Sequence, residues 1–166
     1  MESVVYGADK GGFKGGLINI HASKSAAHRM IICALLSDTP SKIELGDTNI
    51  DIKTSINVAN ALGAGFRYIE SENKLLNIGR QKVSGKVTAD CSESGSTLRF
   101  FIPVAAALGI NTVFTGHGRL PERPVDIYKG LLEDHGVTAE FTGKGIPLEI
   151  KGKLQGGLFE LPGDVS

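Results

Sequence analysis

The stretch Gly16–Ser37, GLINIHASKSAAHRMIICALLS, decides how the chain folds. Gly16–His21 reads as a short strand. Ser23–Ser37 reads as a helix that is apolar almost all round, the mark of a helix buried inside a domain. The same order returns at Gly85–Leu108, GKVTADCSESGSTLRFFIPVAAAL, with a strand over Lys86–Ala89 and a helix over Ser96–Leu108. In both copies a polar, hydroxyl-rich cluster marks the start of the apolar helix.

Working outward, each copy continues in the same way. After the first helix come a strand at Lys42–Leu45, a helix at Ile50–Leu62, and strands at Phe66–Glu70 and Lys74–Ile78. After the second come a strand at Thr112–Thr115, a helix at Pro124–Asp134, and strands at Thr138–Phe141 and Pro147–Ile150. The order is βαβαββ twice. Gly63 and Gly136 close the second helices, and Gly79 and Gly152 close the last strands; both pairs are 73 residues apart. A glycine suits the left-handed turn that ends a helix, and Pro124 suits a first helical turn. Pro103 falls inside a buried helix and predicts a bend or a late start there. Gly157–Leu161 reads as the first strand of a third copy. The organisation expected is a tail over 1–14, units over 15–84 and 85–153, and the start of a truncated third unit over 154–166. The bland alternative is a C-terminal strand that completes a two-copy domain. The fold class is α/β (α+β): repeated units that bury their faces against one another.

Composition bounds the function. The 18 Lys and Arg balance the 18 Asp and Glu, so bulk electrostatics will not hold nucleic acid or an anionic membrane. Seven Phe, three Tyr and no Trp leave a mainly aliphatic core and no stacking surface for single strands. The longest apolar run, Phe100–Leu108, is half the roughly 18 residues that a membrane span needs. Cys33 lies in an apolar run and reads as core; Cys91 lies beside Asp90 and reads as a polar loop residue. Neither they nor the histidines have metal-ligand spacing. A cytoplasmic protein is expected.

The polar clusters carry the chemistry. Ser23-Lys24-Ser25-Ala26-Ala27-His28-Arg29 opens the first helix and Ser92-Glu93-Ser94-Gly95-Ser96-Thr97-Leu98-Arg99 opens its counterpart. Helix N-termini offer free N–H groups and the positive end of the helix dipole, which suits anions. Arg29 and Arg99 stand a turn further on. Plain capping by Ser23 and Ser94 accounts for each cluster alone, but if the two copies pack by pseudo-symmetry, their matched positions bring the two basic ends together. Gly118-Arg119-Leu120-Pro121-Glu122-Arg123-Pro124 adds a strand-to-helix loop, with Arg123 directly before the helix. His21 and His28 flank the first cluster, whereas His117 and His135 read as surface residues. The residues alone give a small pocket for a multiply anionic ligand and leave the reaction open.

Taken together, Ser23-Lys24-Ser25-x-x-x-Arg29, Ser94-Gly95-Ser96-Thr97-Leu98-Arg99 and Pro121-Glu122-Arg123-Pro124 resemble the 5-enolpyruvylshikimate-3-phosphate (EPSP) synthases, over about Gly15 to Ser166. That family folds as two pseudo-threefold domains of three βαβαββ units each. The resemblance implies transfer of the enolpyruvyl group of phosphoenolpyruvate to the 5-hydroxyl of shikimate 3-phosphate, by addition and elimination, with no metal or cofactor. It implies that Lys24 meets both substrates and assists proton transfer, and that Ser25, Arg29 and Ser166 hold shikimate 3-phosphate. Gly95 and Arg123 would receive phosphoenolpyruvate, with Ser96, Arg99 and Asp51 in support. It further implies a monomeric full-length protein whose principal catalytic carboxylates lie outside this chain. His21-Ala22 stands where the family usually has Pro-Pro or Pro-Gly. Glu93 stands where many members carry Asn, and a carboxylate there repels phosphoenolpyruvate unless it is paired. A relative, UDP-N-acetylglucosamine enolpyruvyl transferase, usually has Lys-Asn in the first motif and a loop cysteine; Gly116–Pro124 has no cysteine. A non-catalytic anion-binding module is the other alternative.

Overall fold

Both helix starts are set by a serine whose side chain takes a free backbone N–H. Ser23 caps α1 (Lys24–Leu36) by accepting from the Ala26 N–H at 3.4 Å, and Ser94 caps α3 (Gly95–Leu108) by accepting from Thr97 at 3.3 Å. Asn49 does the same for α2 (Ile50–Ala61), taking the Ile52 N–H at 3.0 Å. The computed structural model describes residues 23–46, 48–142 and 145–160. The expected strand Gly16–His21, with His21 itself, and Ser166 lie outside them.

Two sheets carry the helices. The first has strands β1 (Ser41–Glu44), β2 (Phe66–Ile69) and β3 (Lys74–Asn77) in the order β1-β3-β2, antiparallel throughout. The second has β4 (Val87–Asp90), β5 (Thr112–Thr115), β6 (Val137–Phe141) and β7 (Leu148–Gly152) in the order β4-β5-β7-β6; β4 runs parallel to β5 and the other pairs are antiparallel. The 73-residue repeat is visible in the ladders. Phe66 pairs with Asn77 and Tyr68 with Leu75 in the first sheet; Ala139 pairs with Ile150 and Phe141 with Leu148 in the second. All four closing glycines have positive φ, from +82° at Gly136 to +107° at Gly152, which other residues rarely adopt.

One aliphatic core joins the two sheets, with α2 packed against α1, α3 and β4. Ile31, Leu35, Ile52, Leu62, Leu75, Leu98, Phe101, Ile102 and Phe114 are fully enclosed. Polar side chains fix the helices to the sheets. Asn77 is buried in β3, and its amide donates at 2.8 Å to the Ala34 carbonyl in the last turn of α1, which also accepts the Ser37 N–H. Asn60 brackets Phe66, accepting its N–H at 2.9 Å and donating to its carbonyl at 3.1 Å.

Several expectations need correction. The helix over Pro124–Asp134 is shorter, α4 spanning Ile127–Glu133. Pro124 drives Arg123 into an extended conformation (φ −75°, ψ 132°), Val125 is drawn fully into the core, and a 3-10 turn over Leu120–Glu122 precedes them. Arg123 therefore closes that turn and does not directly precede a helix. Pro103 gives no late start: α3 runs unbroken from Gly95, and the Arg99 carbonyl, whose α-helical donor would be the missing Pro103 N–H, accepts from the Tyr128 hydroxyl of α4 at 3.2 Å. α1 is not enclosed all round: Ala27, His28, Ile31, Ala34 and Leu35 are buried, while Met30, Cys33 and Leu36 are exposed. Cys33 is thus not core, and Cys91, directly after β4, is fully buried with its thiol pushed up to about 12 by burial and the Asp90 charge. The described part of the expected strand Gly157–Leu161 forms no ladder. A strand without a neighbour leaves its backbone unpaired, and here Phe159 stacks on the half-buried His135 at 3.9 Å between ring centroids.

Candidate functional site

The fold brings the starts of three helices to one place. A cavity of about 280 Å³ is lined by Lys24 of α1, Asp51 of α2, Ser94, Gly95, Ser96 and Arg99 of α3, and by Glu93 and Arg123. Lys24 is the first residue of α1 and Asp51 the second of α2, while Ser94 caps α3, so three positive dipole ends face the same space. Three cations stand against two carboxylates. The first-helix starts of the two copies therefore meet at one end, as pseudo-symmetric packing of the copies implies.

Lys24 forms an ion pair with Asp51 across the cavity floor. Partial burial pushes the Asp51 carboxyl upward, but hydrogen bonds from Lys24 and Ser94, together with the charge of Lys24, outweigh it and hold the group below the usual aspartate value. Arg123 lies over the N-terminus of α3. A methyl group placed on Gly95 would touch its Cδ and Nε at 3.9 Å, so the bare Gly95 keeps open the space between the helix end and the guanidinium. Glu93 is exposed, with its carboxylate against Gly118 and its Oε1 3.9 Å from His117 Nε2. Among the described residues, this imidazole, charged only when protonated, is the one basic side chain against Glu93.

The remaining sequence candidates fall elsewhere. Ser25 and Arg29 do not line this cavity. Arg29 turns back along its own helix, donating to the Ser25 carbonyl at 2.7 Å, with its guanidinium carbon 5.5 Å from the centroid of the Phe100 ring. His28 does not line it either, because it is buried beneath, 1% exposed, with Nδ1 2.7 Å from Ser55 Oγ. Burial first, then the Lys24 charge, lowers its pKa, against a smaller opposing effect of Asp51. Sequence reasoning missed Ser55 and the buried role of Thr97. The signal was present: His28, Ser55 and Thr97 each sit on the apolar stripe of their helix, and a polar group on a buried stripe needs a partner.

With three cations and the two SKS- and SGST-type helix starts on one cavity, the comparisons become specific. A family model described as EPSP synthase (3-phosphoshikimate 1-carboxyvinyltransferase) matches residues 10–166. The 3-phosphoshikimate 1-carboxyvinyltransferase of Clostridium acetobutylicum is 43% identical over 154 residues, covering 91% of this chain and 36% of that protein. The one from Clostridium novyi is 42% identical over 159 residues, covering 91% and 37%. The chain thus spans about a third of the length of the curated relatives it matches. EPSP synthase from Acinetobacter baumannii shares the fold with a TM-score of 0.73 at 18% identity, covering 89% of this chain and 34% of that one. No helix among the described residues is long and apolar enough to cross a membrane. The α/β architecture is that of the enolpyruvyl transferases, and by fold, motifs and relatives alike the chain belongs to the EPSP synthase family.

Proposed function

We propose that the cavity is one half of a site where the enolpyruvyl group of phosphoenolpyruvate passes to the 5-hydroxyl of shikimate 3-phosphate. The observation that carries the reading is the convergence of Lys24, Arg99 and Arg123 with three helix N-termini on one small polar space. Both substrates are multiply anionic, and charge-assisted hydrogen bonds from Arg and Lys suit phosphate and carboxylate. Phosphoenolpyruvate takes the space between Gly95 and Arg123, with Ser96 and Arg99 in support. Shikimate 3-phosphate takes Ser25, Arg29 and Ser166, and Lys24 reaches both. For this, Arg29 leaves its own helix and Lys24 loosens from Asp51, which keeps the Ser94 hydroxyl as a partner.

In the reaction, the 5-hydroxyl oxygen bonds to C2 of phosphoenolpyruvate, the hydroxyl proton departs and C3 gains one. The C2–O bond to phosphate then breaks and C3 gives up a proton, restoring the double bond and releasing phosphate. In this reading Lys24, which reaches both substrates, assists the proton transfer. The reading includes units over 15–84 and 85–153 of a larger domain, a cytoplasmic setting and a monomeric full-length protein.

Calorimetric titration of the chain tests it, with shikimate 3-phosphate as ligand and shikimate and UDP-N-acetylglucosamine as controls. Binding confined to the phosphorylated ligand, and lost in Lys24→Ala and Arg29→Ala, is the expected result. Equal binding of shikimate, or binding unaffected by both substitutions, would overturn it.

A further inference from the structure

Beneath the cavity runs an unbroken line of polar side chains drawn from all three helices. His28 Nδ1 of α1 lies 2.7 Å from Ser55 Oγ of α2, and Ser55 Oγ lies 2.8 Å from Thr97 Oγ1 of α3. Thr97 donates from its hydroxyl to Ser94 Oγ at 2.8 Å, and from its backbone N–H to the same oxygen at 3.3 Å. Ser94 and Asp51, the partner of Lys24, line the cavity together. His28, Ser55, Thr97 and Ser94 are all buried.

Proton counting fixes the direction of this line. An ionised carboxylate only accepts, and each hydroxyl has one proton to give. Thr97 gives its one hydroxyl proton to Ser94. Ser55 must then give to Thr97, and the only role left for His28 Nδ1 is donor. We propose that His28, held as the neutral Nδ1–H tautomer, and Ser55, Thr97 and Ser94 form a one-way relay of positioning residues that aims the Ser94 hydroxyl at Asp51 and so keeps that carboxylate compensated when Lys24 turns to a ligand.

Independent features agree. His28 Nε2 is buried without a hydrogen-bond partner, and the imidazole packs edge-on against the Phe100 ring with the centroids 5.9 Å apart. A proton on that nitrogen would be an orphan donor, and an imidazolium would be a buried charge with one side unpaired. The Lys24 and Arg29 charges on α1 also oppose protonation; Asp51 on α2 favours it but is outweighed. The relay stands whichever anion fills the cavity, so it goes beyond the proposed reaction and can fail or survive independently of it.

The test is a long-range proton–nitrogen correlation on the chain labelled with 15N-histidine, which distinguishes the two neutral tautomers and the imidazolium. Loss of one of the four histidine signals in His28→Asn assigns the residue. At pH 7 the expected state of His28 is Nδ1–H. Thr97→Val cuts the line, freeing the Ser55 hydroxyl to donate to Nδ1, so His28 moves toward Nε2–H; Thr97→Ser keeps the hydroxyl and restores Nδ1–H. Asp51→Asn supplies an end group that can also donate, and the distant His28 becomes a tautomer mixture. Lys24→Met leaves the carboxylate and so leaves Nδ1–H in place. An Nε2–H or protonated His28 in the unmodified chain, which needs no variant to fold, would overturn the proposal. So would a His28 that stays pure Nδ1–H in folded Thr97→Val.

Discussion

Removing the Tyr128 hydroxyl should destabilise the chain only while Pro103 is present. Pro103 has no N–H to give the Arg99 carbonyl one turn before it, and the Tyr128 hydroxyl takes that place from α4 at 3.2 Å. Burial pushes the Tyr128 hydroxyl upward, only partly offset by Arg99, so it stays protonated and a donor at neutral pH. Tyr128→Phe leaves the carbonyl short of a donor and should cost about 0.5–1.5 kcal/mol. Each kcal/mol corresponds to roughly 2–4 °C in melting temperature for a chain of this size. Pro103→Ala restores the backbone donor and removes a clash, relieving some of the ~3 kcal/mol that an interior proline costs. In that background Tyr128→Phe should cost only a few tenths of a kcal/mol, a coupling of about 1 kcal/mol. Urea unfolding of the two single variants and the double variant reads the coupling directly. Equal cost of Tyr128→Phe in both backgrounds would refute the idea that the hydroxyl substitutes for the missing amide.

Three further outcomes follow from the same residues. The folded pKa of His28 lies below 6.5 because burial opposes its charge, so the unfolded chain takes up a proton that the folded one refuses. Stability should be full above pH 6.5 and fall as pH drops through that value, with the acid slope flatter in His28→Asn; the depressed Asp51 adds a second loss below pH 3.8, read in the same melts. In the native chain, iodoacetamide at pH 8 should alkylate exposed Cys33 and spare Cys91, whose thiol is buried and pushed up to about 12; mass spectrometry should show two modifications only after denaturation. Gly95→Ala should leave the melt unchanged within about 0.5 kcal/mol, since the added methyl meets its neighbours at 3.9 Å, while phosphoenolpyruvate binding, followed by calorimetry, should weaken by roughly tenfold.

The sequence by itself determined the repeat and the two polar helix starts. Apolar periodicity located α1, α2 and α3 to within one residue at each end, because each must bury a stripe; the spacing of the closing glycines foretold the register, because few other residues accept their backbone conformation. A serine before α1 and another before α3 marked the capped ends, and those ends do line one cavity with Arg123. Tertiary structure decided what local pattern does not encode. Only packing shows that Val125 enters the core and delays α4, that one side of α1 is exposed, and that Cys91 is buried while Cys33 is not. Above all, His28, Ser55 and Thr97 are widely separated in the chain and unremarkable one by one; they meet because three helices converge, and buried polar groups must then find each other.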